Sequence, residues 1–264
     1  MSEAKKLRDY VEGMSLKDGT GLVKANLELA KVTGGLTDEL NLQQLGLTDE
    51  DMASLVGPIA NLGKNLRVLN LFFNELTFIP AELSKLSHLE ELKVGCNPLS
   101  SIPEKLFTDM HRLTYLDIGY GNTLSTLPES IGECKSLKEL WAGNNRIHAF
   151  PSTLCKCKNL EVLQVYGNDL KEIPSEIGDL KALRVLNIGR NQITHIPDRL
   201  GECQNLTELQ AYENDLRTVP VSVANLPNIK VGNCYGNPKL GLPPREKVRE
   251  GVGATLRYYS SVNV

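Results

Sequence analysis

From Leu66 almost to the end of the chain, a segment of about 23 residues recurs. Each copy runs Leu-x-x-Leu-x-Leu-x-x-Asn-x-Leu, then a short stretch, then Ile-Pro or its equivalent. The asparagines fall at Asn74, Asn97, Asn122, Asn145, Asn168, Asn191, Asn214 and Asn237. The prolines follow at Pro80, Pro103, Pro128, Pro151, Pro174, Pro197, Pro220 and Pro243. A fixed period in this range builds a solenoid, in which each unit packs only on its neighbours. The usual reading of 264 residues as one large domain or two ordinary ones therefore does not apply. Function has to be sought in what the repeat leaves free to vary.

The physical logic of the unit is short. Leu-x-x-Leu-x-Leu predicts a strand whose alternate residues point inward, and strands of successive units pair in parallel roughly 4.8 Å apart. The asparagine turns the chain off the strand, its amide bonding backbone groups that the turn leaves unpaired. Proline predicts an extended or single-turn return along the outer side rather than a long helix. Strands on one side and bulkier segments on the other curve the stack. The reading is an α/β solenoid with a parallel sheet on its concave face and short helical or extended segments on its convex face.

Three parts follow. Residues 1–35 precede the array and predict an N-terminal helical cap: Leu7, Tyr10, Val11 and Met14 fall at helical spacing. Residues 16–35 read as either a second helix or a worn first repeat. Residues 36–243 form the array. Its first unit is irregular, with Leu40, Leu42, Leu45 and Leu47 setting strand and turn, and with Thr48 as helix cap ahead of Glu50 and Asp51. Seven regular units begin at Leu66, Leu89, Leu113, Leu137, Leu160, Leu183 and Leu206. A degenerate one begins at Ile229, where Gly232 and Lys239 stand in leucine slots. Residues 244–264 predict a capping helix through Val248, Val252, Leu256 and Tyr259, weakened by Gly251 and Gly253. An extra residue in the turn Gly119–Thr123, and another in the outer segment of residues 105–112, predict local bulges.

Six cysteines raise the question of disulfides or metal. Cys134, Cys157 and Cys203 each stand three residues before a repeat's first leucine, a slot held elsewhere by Leu86, Met110, Leu180 and Leu226. Cys234 takes a core leucine slot of the last unit. They read as small core residues, and Cys155-x-Cys157 is too close and too isolated for zinc. No P-loop or Gly-x-Ser-x-Gly elbow is present. His88, His111, His148 and His195 are scattered over different repeats. The expectation is a non-enzymatic chain with no cofactor or metal. The net charge of −3 offers no basic field for nucleic acid. No stretch approaches the roughly 20 apolar residues of a membrane span, and the start of the chain lacks the apolar core of a secretory signal.

On these motifs the chain resembles leucine-rich repeat proteins of the intracellular 23-residue type, similar to the repeats of Ras-pathway and cell-polarity scaffolds and of plant intracellular relatives. The resemblance covers residues 36–243. It implies a curved parallel sheet whose concave face binds another protein. Extracellular members carry cysteine clusters at both ends of the array, a feature missing here, so the resemblance implies a cytoplasmic setting, with cytoskeletal association as a variant.

The second, third, fifth, seventh and eighth positions of each unit lie on or beside the concave face, where the fold is expected to need no particular residue. Eight of the 14 aromatics sit there: Phe72, Phe73, Tyr115, Tyr120, Trp141, Tyr166, Tyr212 and Tyr235. Exposed aromatics are enriched at interface hot spots; aromatics also favour strands and stack along a ladder. Lys138 and Arg190 join them as candidate partner contacts. The interleaved polar residues, among them Glu91, Lys93, Asp117, Glu139, Gln164 and Asn187, show no single sign and suit a mixed protein surface. Trp141, flanked by Tyr115, Tyr166, Lys138 and Glu139, marks the expected hot spot, and Phe72, Phe73 and Phe78 form a second cluster that packing under the first repeat would equally explain. The expected function is a protein–protein interaction module serving as scaffold, adaptor or regulatory subunit, with no nucleic acid, membrane insertion or small-molecule substrate. The alternatives are a structural component of a cytoskeletal or ciliary assembly, and a protein inhibitor of an enzyme.

Overall fold

Leucines at the fourth and sixth positions of each unit leave only about three residues in extended register before the turn. The computed structural model, which describes residues 21–240 and 252–261, bears this out with nine three-residue strands: β1 (Glu39–Asn41), β2 (Val68–Asn70), β3 (Glu91–Lys93), β4 (Tyr115–Asp117), β5 (Glu139–Trp141), β6 (Val162–Gln164), β7 (Val185–Asn187), β8 (Glu208–Gln210) and β9 (Val231–Asn233). They form one parallel sheet in chain order. The register aligns equivalent positions, so Leu40, Leu69, Leu92, Leu116, Leu140, Leu163, Leu186 and Leu209 stand in one buried row.

The asparagines do more than turn their own strand. Asn168 is typical. Its Oδ1 accepts from the backbone N–H of Ile147 in the preceding unit (2.9 Å). Its Nδ2 donates to the carbonyls of Ala142 in that unit and Val165 in its own, both at 3.0 Å. Asn97, Asn191, Asn214 and Asn237 repeat this pattern. Each amide thus satisfies buried backbone groups of two successive units, groups that would otherwise each cost about 1–3 kcal/mol. The first unit has Leu45 where the asparagine would stand; Asn74 accepts from both Leu45 N–H and Leu47 N–H across the gap.

On the outer side, Pro80, Pro128, Pro151, Pro174 and Pro197 each lead into a five-residue 3₁₀ turn, and Pro220 into the one-turn helix α3 (Val221–Ala224). The extra residue near residues 105–112 abolishes the 3₁₀ turn in that unit, and Phe107 fills the space, fully buried. The cysteines occupy the core as their spacing predicts: Cys157 and Cys203 are buried, with Sγ donating to the carbonyls of Ile131 and Ile177 at 3.3 Å. Burial pushes the Cys157 and Cys203 thiols up to about 11 and those of Cys155 and Cys234 up to about 12. Only Cys96 is partly exposed.

The two ends are covered. Residues 21–33 form helix α1 (Gly21–Thr33), which settles the ambiguity over residues 16–35 for the part described. Ala25, Leu29 and Val32 bury one face of α1, which packs against β1 and α2. Helix α2 (Asp49–Asn61) starts at the expected Thr48, whose hydroxyl accepts from Asp51 N–H while the Asp51 carboxylate accepts from Thr48 N–H. At the other end, helix α4 (Val252–Ser261) packs on β9 and α3. The helix expected at Leu7–Met14, and the contribution of Val248 and Gly251 to the C-terminal one, lie outside the described residues.

Candidate functional site

The free face of the sheet is built from rows that run across the strands. Its third-position row reads Glu39, Val68, Glu91, Tyr115, Glu139, Val162, Val185, Glu208 and Val231; its fifth-position row reads Asn41, Asn70, Lys93, Asp117, Trp141, Gln164, Asn187, Gln210 and Asn233. The seventh and eighth positions flank these rows at the turn.

The expectation that the fold needs no particular residue at these positions is corrected at three of them. At the fifth position, short polar side chains close the turn: the Oδ1 atoms of Asn41, Asn70, Asp117, Asn187 and Asn233 accept from the backbone N–H two residues on. At the eighth position the backbone is left-handed in every unit. Gln44, Phe73, Cys96, Tyr120, Asn144, Arg190 and Glu213 have φ between 50° and 59°, and glycine fills the slot at Gly167 and Gly236. At the seventh position glycines and aromatics complement one another. A Cβ placed on Gly143 would stand 2.7 Å from the Tyr166 ring, one on Gly189 2.4 Å from Tyr212, and one on Gly95 2.8 Å from Phe72. Each of these aromatics therefore lies across a neighbouring unit's glycine.

This sorts the candidates. Phe72, Tyr166 and Tyr212 are partly buried and have a packing role on their glycines. Phe73, Tyr120 and Tyr235 are far more open, at 55%, 44% and 67% exposed. Arg190 is exposed and ion-paired to Glu213 (Nε to Oε2, 3.0 Å). Lys138 is exposed at the rim. Phe78 follows the turn beyond Leu76 and lies apart from the seventh and eighth positions that hold Phe72 and Phe73. His148 and His195 are exposed, as expected of loop residues.

The structure gathers the most chemistry at the centre. Tyr115 stands between Glu91 and Glu139 in register, and Asp117 between Lys93 and Trp141. Lys93 Nζ lies 2.8 Å from Glu91 Oε2 and 5.3 Å from the centre of the Tyr115 ring. Trp141 Nε1 donates to Glu139 Oε2 at 3.0 Å. Beside this block the Tyr166 hydroxyl donates to that of Tyr120, their rings meeting edge-on at 6.2 Å. Burial, reinforced by Asp117, Glu139 and Glu91, pushes the Tyr115 phenol up to about 12. Burial also raises the Asp117 carboxyl, opposed by the Gly119 N–H and by Lys93. Trp141 thus neighbours Tyr115 diagonally, and its direct register partners are Asp117 and Gln164. Glu139 is the expected neighbour of Trp141; the register adds Glu91, Lys93 and Asp117 to this centre. Among the described residues, no group of three or more His, Cys, Asp or Glu is placed to hold a metal ion, and no helix is long and apolar enough to cross a membrane.

The family model described as "Leucine rich repeat" matches residues 87–147 and 158–216, and one described as "Leucine Rich repeats (2 copies)" matches 64–109. Together they cover more than half of the chain. The chain belongs to the leucine-rich repeat family. Among curated proteins it is similar to the human "Volume-regulated anion channel subunit LRRC8A", at 31% identity over 57% of this chain and 19% of that protein. It is similar to the rice "Plant intracellular Ras-group-related LRR protein 8", at 28% over 58% of this chain and 38% of that protein. It is also similar to the Arabidopsis thaliana "Protein phosphatase 1 regulatory inhibitor subunit PPP1R7 homolog", at 32% over 44% and 34%. The chain spans about a fifth of the length of the first of these relatives. Among solved structures, the Leptospira interrogans leucine-rich repeat protein LIC12759 superposes with a TM-score of 0.58 at 26% identity, over 80% of this chain and 57% of that one. The Arabidopsis receptor kinase HAESA, solved in complex with the peptide hormone IDA and the co-receptor SERK1, gives 0.59 at 29% identity, over 72% of this chain and 32% of that one.

Proposed function

We propose that this chain is a protein-binding module, acting in the cytoplasm as a scaffold, adaptor or regulatory subunit, that holds its partner on the sheet face. The observation that carries the reading is the central block, where Tyr120 is exposed and Tyr115 and Trp141 are half-buried, all three held on backbone that is hydrogen-bonded to the units on both sides. Rigid aromatic anchors lose little conformational entropy on binding. Two relatives support the setting by their names: one is a regulatory inhibitor subunit, the other a plant intracellular protein. An enzyme inhibitor is the same reading with the partner specified as an enzyme.

The test is cross-linking capture from native lysate with quantitative mass spectrometry, comparing the wild type with Trp141→Ala and with the outer-side control Lys156→Ala. Trp141→Ala should lower recovery of the specific partner at least about tenfold, the effect of losing one central hot spot, while Lys156→Ala leaves it intact. Equal recovery with Trp141→Ala, in a variant that melts like the wild type, overturns the assignment to this face.

A further inference from the structure

The floor of the sheet is one-sided in charge. Within the nine strands stand five carboxylates, Glu39, Glu91, Asp117, Glu139 and Glu208, and a single cation, Lys93. The remaining cations of this face, Arg67, Lys138, Arg184, Lys230 and Arg190, lie outside the strands. Arg67, Arg184 and Arg190 are each tied to an acid beside them, Glu90, Glu161 and Glu213. The mixed charge legible in the sequence therefore separates in space into a rim that holds these cations, three of them paired with acids and Lys138 and Lys230 exposed, and an acidic floor.

Three of the floor carboxylates are concentrated on β3, β4 and β5, where the register sets them among the aromatics as two rows of three: Glu91, Tyr115, Glu139, and Lys93, Asp117, Trp141. Lys93 shows what this block accepts, because its ammonium already sits between a carboxylate and the face of an aromatic ring. One ammonium leaves two of the three carboxylates uncompensated. Asp117 Oδ1 takes the Gly119 N–H at 2.9 Å, and Trp141 is its neighbour on the side away from Lys93.

We propose that this block docks a basic side chain of a partner protein, an arginine or lysine on an accessible segment, which lies against Trp141 and Tyr115 and pairs with Asp117 and Glu139. The proposal rests on the sheet face being the partner-binding surface. A guanidinium suits the place well: it is weakly hydrated, stacks on aromatic faces and pairs with carboxylates. The acidic floor also draws a basic segment from a distance.

Trp141 is the only tryptophan of the chain, so its fluorescence reports the site directly. The probe is a short acetylated peptide of alternating glycine and arginine, titrated against the same peptide with citrulline, which keeps the shape and removes the charge. Asp117→Asn and Glu139→Gln are the variants. Asparagine at 117 retains the acceptor for Gly119 N–H, as Asn187 does for Gly189 at the equivalent position, so the turn is preserved. The arginine peptide should shift Trp141 emission saturably. Citrulline and either variant should weaken the effect by about tenfold or more, and added salt should weaken it further. Equal response to citrulline, an unaltered response in Asp117→Asn, or equally tight binding of free spermine overturns the proposal, the last by assigning the block to small polyamines. The lysate capture separates the two readings. If Trp141→Ala loses the partner while Asp117→Asn and Glu139→Gln keep it, the sheet face stands and the basic contact falls; if all three keep it, both fall.

Discussion

A carboxylate in the middle of a sheet face is an expensive residue to keep. Burial raises the Asp117 pKa, and neither the Gly119 N–H nor Lys93 reverses the effect. A carboxyl whose folded pKa lies above its unfolded value binds its proton more tightly in the folded state. Its contribution to stability is complete below the unfolded value of about 3.8 and is lost as pH rises through the folded value. At neutral pH the ionised Asp117 therefore works against folding. Asp117→Asn keeps the turn bond and removes the charge. It should raise Tm at pH 7 in thermal melts followed by circular dichroism, and the gain should vanish near pH 3. A lower Tm at pH 7 would contradict this assignment. Stability gained together with lost binding of a basic peptide would mark Asp117 as a residue held for function.

The same scale shows what the sequence could and could not reveal. The asparagines, prolines and core cysteines were legible because the period repeats them in the same chemical slot. The turn-closing role of Asn70, Asp117 and Asn187 was not, because it depends on the direction of a backbone N–H two residues on. Charge separation between rim and floor was hidden for a related reason: neighbours on the sheet face are about 23 residues apart in the chain, so a linear reading mixes residues that the register keeps apart.

At the scale of elements, the seventh-position aromatics are the place where packing and binding readings compete. Tyr166 lies across Gly143, and only glycine leaves room for it: an added Cβ would come within 2.7 Å of the ring. Gly143→Ala should push the ring out and cost about 1–3 kcal/mol, the usual penalty for overpacking. Tyr166→Ala removes the obstacle, so the double variant should recover most of that loss. Chemical denaturation of the four proteins in the cycle measures the coupling. Additive effects would show that Tyr166 does not depend on the glycine and would return it to the list of free surface aromatics. Element boundaries were legible wherever a stop or start signal was local, as at Thr48 for α2 and at the prolines for the 3₁₀ turns. Residues 16–35 were ambiguous because Leu22, Ala25, Leu29 and Val32 satisfy helical spacing while Leu27 and Leu29 also suit a worn repeat. Burial of Ala25, Leu29 and Val32 on one face decides for the helix.

Across the whole molecule, stability is a sum over neighbouring units, so the ends decide whether the stack holds. The last strand carries Gly232 in the row that is leucine in the eight strands before it. In isolation this reads as decay of the repeat. The structure gives it a purpose: a Cβ at 232 would lie 2.8 Å from Val252 and 3.1 Å from Leu256, because α4 closes the array there and Leu256, fully buried, supplies the missing apolar volume. Restoring the repeat's own leucine should therefore harm the protein. Gly232→Leu is expected to displace α4 and cost about 1–3 kcal/mol, and Gly232→Ala to cost less. Because units couple only to their neighbours, the damage should stay local. Native-state hydrogen exchange should show lost protection in β9, α3 and α4 with β2 to β6 unchanged. A higher Tm, or loss of protection spread evenly along the sheet, would refute the view that this glycine is the seat of the C-terminal cap.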